Sequence, residues 1–263
     1  MPLYKNELAA IRPQIVPGVR SLFTERTGGV SSGPWGGPEG IMGLNVGEHV
    51  GDNASCVRMN RDLVSQVCAS TPRWMTQVHG TRVLDAEDVT DSSVEADAQT
   101  SLTPGVVCVV QVADCLPVLL AEEGARGVAA IHAGWKGLAL GVIEAGVERL
   151  RERLGNPDAR LVAWLGPRIG FEDFECGEDV LAYYRRRYPV LAQSERDLGG
   201  GRYRLSLAGY ATYALRSVGV THIVDCGLST VAHPERFYSF RRDGAQSGRH
   251  AALIWIERPF EHN

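Results

Sequence analysis

GVVCVVQVADCLPVLLA (Gly105–Ala121), then EEGAR (Glu122–Arg126) and GVAAIHAGWKG (Gly127–Gly137), form the apolar heart of the chain and decide how it folds. The first block reads as one or two buried strands and Gly127–His132 as another. If Glu122–Arg126 turns a hairpin centred between Glu123 and Gly124, Cys115 and His132 lie equally far from that centre. They then stand opposite each other. Opposed side chains of an antiparallel pair share a face, with Cβ atoms roughly 4.5–5.5 Å apart. At that separation a thiolate and an imidazole can hold one zinc ion. A slip of one residue would put them on opposite faces.

Outward from this hairpin, Lys136–Leu154 reads as a helix. Ile143, Val147, Leu150 and Leu154 fall on one face, and Gly155 sits where a C-terminal glycine belongs. Strand Arg160–Leu165, helices Glu178–Arg187 and Ser206–Val218, and strands Thr221–Asp225, Arg236–Arg241 and His250–Ile256 follow. Before the hairpin, Asp52–Cys68 reads as a helix capped by Asp52 or Asn53. Trp74–His79 and Arg82–Leu84 look like short strands, and Asp85–Ala96 is an acidic connector. Thr27–Gly43 is a Gly/Pro/Ser loop. Helices and strands alternate without strict β-α-β regularity, which predicts a mixed-sheet α/β or α+β domain.

The chain has 263 residues, 44% apolar and 22% charged, which excludes a disordered, collagenous or coiled-coil protein. A formal net charge of -4 gives no long-range pull toward nucleic acid or an anionic membrane, so neither is an expected partner. The segment MPLYKNELAAIRPQIVPGVRS has no apolar run suited to a signal peptide. Gln111, Asp114 and Pro117 interrupt the longest apolar stretch. The expected location is the cytoplasm, where the six cysteines are reduced thiols. None forms a C-x-x-C pair, so structural zinc ribbons and thioredoxin chemistry lack support.

Three islands combine ligand or nucleophile residues with tight glycine turns: TQVHG (Thr76–Gly80), ADCL (Ala113–Leu116) and IHAGWKG (Ile131–Gly137). A lone cysteine on an apolar strand is more often packing, and a histidine ending a strand is more often a hydrogen-bonded core residue. Their coincidence in one hairpin is what favours function. The helix that follows His132 should set its N-terminus beside the imidazole, disfavour imidazolium and attract anions, with Lys136 alongside. Asp114 would point to the opposite face and reads as structural. His222, His233 and His250 lie near strands without partners at ligand spacing and read as structural or surface residues.

QVHG (77–80), ADCLPVLL (113–120) and IHAGWKG (131–137) together resemble the YfiH-type family, also called laccase-domain or multicopper polyphenol oxidase-like proteins. LNVGEHVGD (44–52), Asn60–Arg61, LGPRIG (165–170) and FYSFRRD…SGR (237–249) match as well, in order over nearly the whole chain. One departure is Cys176, where the family commonly carries valine before the glycine; it stays unassigned. The resemblance implies a single domain over residues 1–263, an α+β fold built as an α/β/β/α sandwich with mixed β-sheets. It also implies a zinc bound by His79, Cys115 and His132. The implied reaction is purine nucleoside phosphorolysis, adenosine, inosine or guanosine plus phosphate giving base and ribose 1-phosphate. Adenosine deamination and methylthioadenosine phosphorolysis accompany it, and copper-dependent polyphenol oxidation is the less well founded label.

Phosphorolysis must hold phosphate against C1′ and stabilise negative charge on the leaving purine. Arg61, Arg241, Arg242 and Arg249 are candidates because the guanidinium fork matches phosphate oxygens; Lys136 is another, and Asn45 is a candidate polar contact. The alternative for each arginine is a solvated surface charge, which holds for most arginines in any protein. Arg241 and Arg242 are favoured because an aromatic strand, FYSF, would deliver them to a turn. A second enzyme class would use Cys115 as nucleophile with His79 or His132 as base, giving an amide or peptide hydrolase, with editing of cell-wall precursors as one form.

Overall fold

The computed structural model describes residues 8–258. The Gly105–Ala121 stretch is two strands in two different sheets. β1 (Ala10–Ile11), β2 (Val19–Thr24), β6 (Cys108–Val112) and β14 (His250–Ile256) form an antiparallel sheet in the order β1-β2-β14-β6. A six-stranded mixed sheet holds β4 (Val83–Asp85), β5 (Ala98–Ser101), β7 (Leu116–Glu122), β8 (Val128–Ala133), β9 (Leu161–Leu165) and β13 (His222–Asp225). Its order is β13-β9-β7-β8-β5-β4. Between β6 and β7 the chain crosses from one sheet to the other at Ala113-Asp114-Cys115, with Asp114 in the left-handed region at φ 79. β3 (Thr27–Ser31) bridges Gly43 within the glycine-rich loop, and β10 (Glu175–Gly177), β11 (Glu195–Gly199) and β12 (Arg202–Leu205) form a small third sheet.

Both faces of β7 are covered, which is why its sequence runs apolar without alternation. Leu119 and Ala121 face the four-stranded sheet and pack with Phe23, Val110, Ile254 and Trp164. Leu116, Val118 and Leu120 face the helices α3 (Val142–Arg153), α4 (Glu178–Arg185) and α5 (Leu207–Ser217), meeting Ile143, Val147, Tyr184 and Tyr210. On the far face of the smaller sheet, α1 (Ala54–Gln66) lays Val64 over Leu22, Val109 and Leu253. The layers therefore run helix, sheet, sheet, helix, the α/β/β/α order the resemblance implies. The Asn53 side chain caps α1 by accepting from the Ser55 and Cys56 amides, an arrangement worth about 1 kcal/mol.

Several predicted elements differ. Lys136–Leu154 is two helices, α2 (Trp135–Leu140) and α3, because Gly141 takes φ 99 and ends the first one with its N–H on Gly137 and Leu138. Trp74–His79 makes only one isolated bridge, Thr76 with Glu95, just after the bridge of Arg73 with Cys108. Arg236–Arg241 is not a strand. Phe237–Ser239 is irregular, and α6 (Phe240–Asp243) starts with Ser239 capping the Arg242 amide. The helices and strands expected at 178–187, 206–218, 221–225 and 250–256 stand, with ends shifted by up to two residues.

Candidate metal centre

The hairpin that carries Cys115 and His132 is centred one residue later than its sequence predicts. Leu116 pairs with Ala133 and Pro117 with His132, so the midpoint falls between Gly124 and Ala125. Glu122 explains the shift: its Oε2 accepts the Gly124 and Arg126 amides, and Ala125 turns at φ 56. Moving the centre by one residue moves every pairing by two, which preserves the face. Cys115 is therefore diagonal to His132 and not opposite it, one residue before β7 begins. His132 shares its face with Ala130, the face turned to the other sheet. The centre consequently sits at the end of the layer between the sheets.

Asp97 assembles the rest. It is fully buried at the start of β5. Its Oδ1 lies 2.8 Å from His132 Nδ1 and accepts the His79 amide at 2.9 Å; its Oδ2 accepts the Val78 and Gly80 amides at 3.2 and 2.7 Å. Its backbone carbonyl also accepts the His132 amide at 2.7 Å. One carboxylate thus fixes the 78–80 turn, in which His79 adopts φ 58, and holds the Nδ1–H tautomer of His132 so that Nε2 is presented outward. Burial pushes the Asp97 carboxyl up, but His132 and the amides outweigh it and hold it below the ordinary value.

The ligand atoms of His79, Cys115 and His132 all lie within 4.8 Å of one another. Cys115 Sγ is 3.7 Å from His79 Nε2, and the two imidazole rings are T-shaped with centroids 4.8 Å apart. Ordinary Zn–S and Zn–N bonds at a tetrahedral angle place sulfur and nitrogen about 3.6 Å apart. The donor set and spacing fit one ion of that kind. Gly134 makes the approach possible: a Cβ there would lie 2.6 Å from His79 Cδ2 and 3.1 Å from Cys115 Sγ. Burial alone would raise the Cys115 thiol, but His132 and His79 bring it below the usual thiol range, toward the thiolate a metal requires. α2 does begin beside His132, with Gly134 as its N-cap. Burial favours the neutral ring, while the Cys115 charge and Asp97 raise the His132 pKa, so a bound metal would take the place of the Nε2 proton.

Other predicted site residues scatter around this centre. Asn45 is fully buried. Its amide oxygen accepts the Gly47 and Arg249 amides while its nitrogen donates to Gly47 and Asp52, so it braces a loop. Arg61 donates Nε to the Val46 carbonyl at 2.9 Å, pairs with Glu48 at 2.9 Å and lies over Trp74. Arg241 donates to the carbonyls of Asp173 and Glu175, and Arg242 to those of Thr230, Val231 and Phe237. Lys136 is exposed on the first turn of α2. Arg249, at the lip of β14, donates to the Ser247 and Gly248 carbonyls. Asp114 is structural as expected: its carboxylate accepts from Thr230 Oγ1, Ser239 Oγ and the Arg241 amide. Cys176 pairs with Tyr203 in the small sheet, and burial raises its thiol to about 11. Asp97 was not legible, because a buried acid at the end of an acidic run looks like a continuation of the run.

An α/β/β/α sandwich with a carboxylate-anchored His–Cys–His cluster at the end of its inter-sheet layer defines a class of proteins able to hold one metal ion. Residues 20–257 match the family described as multi-copper polyphenol oxidoreductase laccase, and the chain belongs to that family. It is 38% identical over 240 residues to a purine nucleoside phosphorylase of Pseudomonas aeruginosa, covering 91% of this chain and 94% of that one. A purine nucleoside phosphorylase of Haemophilus influenzae is 37% identical over 256 residues, covering 95% and 100%. A Neisseria meningitidis protein of solved structure superposes with a TM-score of 0.87 at 35% identity, over 96% of this chain and 100% of that one.

Proposed function

We propose that this protein is a zinc-dependent purine nucleoside phosphorylase, converting adenosine, inosine or guanosine and phosphate to base and ribose 1-phosphate. Adenosine deamination and methylthioadenosine phosphorolysis are proposed as side activities of the same site. The observation that carries the reading is the convergence of His79, Cys115 and His132 within 4.8 Å, on a chain that shares over a third of its residues with phosphorylases. His79 Nε2, Cys115 Sγ and His132 Nε2 would hold the ion, leaving one corner of a tetrahedron for substrate. When bound, zinc supplies a Lewis acid that stabilises negative charge on the reacting group. Asp97 orients the His132 ring and fixes the backbone turn that carries His79. Lys136, exposed on the first turn of α2 that begins beside His132, offers a cationic group for phosphate. Arg61 steadies the 46–49 loop through Val46 and Glu48, and Asn45 steadies it through Gly47. Arg241 and Arg242 tie down the 237–249 segment. Among the described residues one three-ligand group stands, which favours zinc over chemistry that passes electrons between several copper ions.

No helix among the described residues is long and apolar enough to cross a membrane, and the proposal places the enzyme in the cytoplasm. The test is release of hypoxanthine from inosine by zinc-loaded protein with and without phosphate. Phosphorolysis predicts release that requires phosphate and yields ribose 1-phosphate; equal release without phosphate would refute it.

A second reading rests on Cys115 Sγ lying 3.7 Å from His79 Nε2, with both histidines lowering the thiol against its burial. As a nucleophile served by His79 or His132 it would hydrolyse amides, including cell-wall precursor peptides. Rapid alkylation of Cys115 in active protein stripped of metal would favour this reading. Protection of Cys115 until a chelator is added favours the metal.

A further inference from the structure

Phe240 is the most exposed aromatic ring among the described residues, at 51%. The other exposed aromatic, Tyr213, packs its ring on Tyr188. Hydrophobic burial holds its neighbours Phe237 and Tyr238 fully inside, so Phe240 faces solvent against the trend of its own segment. Its main chain is nonetheless fixed beside the metal centre. Ser239 Oγ and the Arg241 amide both donate to Asp114 Oδ2, at 3.0 and 2.6 Å, and Asp114 is the residue before Cys115. Adding these steps through covalent geometry puts the Phe240 backbone within about 12 Å of that of Cys115, comparable with the length of a nucleoside. The Arg249 guanidinium lies 5.9 Å from the Phe240 ring centroid. Arg249 is itself largely sheltered, and its chain is fixed by the Asn45 oxygen on its amide at 2.8 Å.

We propose that Phe240 is the platform on which the purine base stacks, backed by the Arg249 guanidinium over its ring, so that the ribose and its C1′ lie toward the His79–Cys115–His132 cluster. The naming of a purine rests on the phosphorylase reading. A flat apolar ring held on a rigid turn suits a base because every base has a π-face, while the cation beside it suits negative charge developing on the departing purine. Stacking tolerates different substituents on the base, so the platform accepts adenosine, inosine and guanosine alike.

The test uses zinc-loaded protein and two readouts: inosine binding by equilibrium dialysis without phosphate, and steady-state kinetics with phosphate. Phe240→Ala is expected to weaken inosine binding and raise its KM about tenfold, with the KM for phosphate and the zinc content unchanged. Phe240→Trp should stay within about threefold of the parent, because it restores the π-face. Unchanged inosine binding in Phe240→Ala would overturn the proposal. Phosphate-independent turnover, or none, with the tenfold binding difference intact would sink the phosphorylase reading and leave the platform standing. Absence of inosine binding by the parent protein would overturn both.

Discussion

Asp97 is the residue on which the geometry of the centre depends, although it touches no metal position. It spends its two oxygens on one imidazole and three amides, so the His132 ring and the backbone turn that carries His79 are fixed by the same group. Asp97→Asn keeps the size but removes the charge and half of the accepting capacity. The expected result is a loss of about 10–100-fold in zinc affinity, measured by competition with a chromophoric chelator. An unchanged affinity would show that the ligands are oriented without it. Cys115 and His132 were legible because apolar strands of period two fix which side chains share a face, and that parity survived an error in the turn. His79 stood out as part of the TQVHG island, but it joined the ligand set only by resemblance. Nothing in its own spacing ties it to the hairpin, since Asp97 does that through space. The arginines were the least legible. Sequence supplies the charge, whereas their availability depends on which carbonyls happen to lie within reach.

At the scale of elements, strand β14 begins at His250, which shows how burial decides ionisation. The ring is fully buried among Phe23, Phe237 and Tyr238, with centroids at 5.1, 5.7 and 5.1 Å. Its Nε2 accepts the Tyr238 amide at 2.8 Å, so a proton there would set donor against donor. Burial, the largest cause, drops its pKa to about 3. In the unfolded chain the same group titrates near 6.5. Between those values the unfolded state holds the extra proton, so stability falls as pH falls from about 6.5 toward 3 and is fully present above that window. The share lost between pH 6 and 4 is on the order of 3 kcal/mol. His250→Gln, whose amide oxygen can accept from Tyr238, should lose correspondingly less over those two units in urea unfolding. Parallel losses in the two proteins would contradict this. The element most misread, Arg236–Arg241, failed for a related reason. Its aromatic run has strand propensity, but Asp114 captures Ser239 and the Arg241 amide and bends the chain into α6. Gly141 broke the expected helix in the same way, through a backbone conformation that periodicity cannot reveal.

At the scale of the whole molecule, the centre exists only where the two sheets meet. His79 comes from a turn, Cys115 from the crossing between β6 and β7, and His132 from the end of β8, so no fragment presents all three. Layer order was legible only through the resemblance; the residues alone predicted a mixed-sheet α/β or α+β domain, and β7, buried on both faces, shows the physical need for a second sheet and a helical cover. Strands β2 and β5 were not legible, since they lack any strong apolar run of their own. The metal content of protein purified without added metal tests the account most directly. It predicts about one zinc per chain in the parent and less than about one-tenth of that in Cys115→Ala, with the fold unchanged by circular dichroism. Full zinc occupancy in folded Cys115→Ala would contradict it.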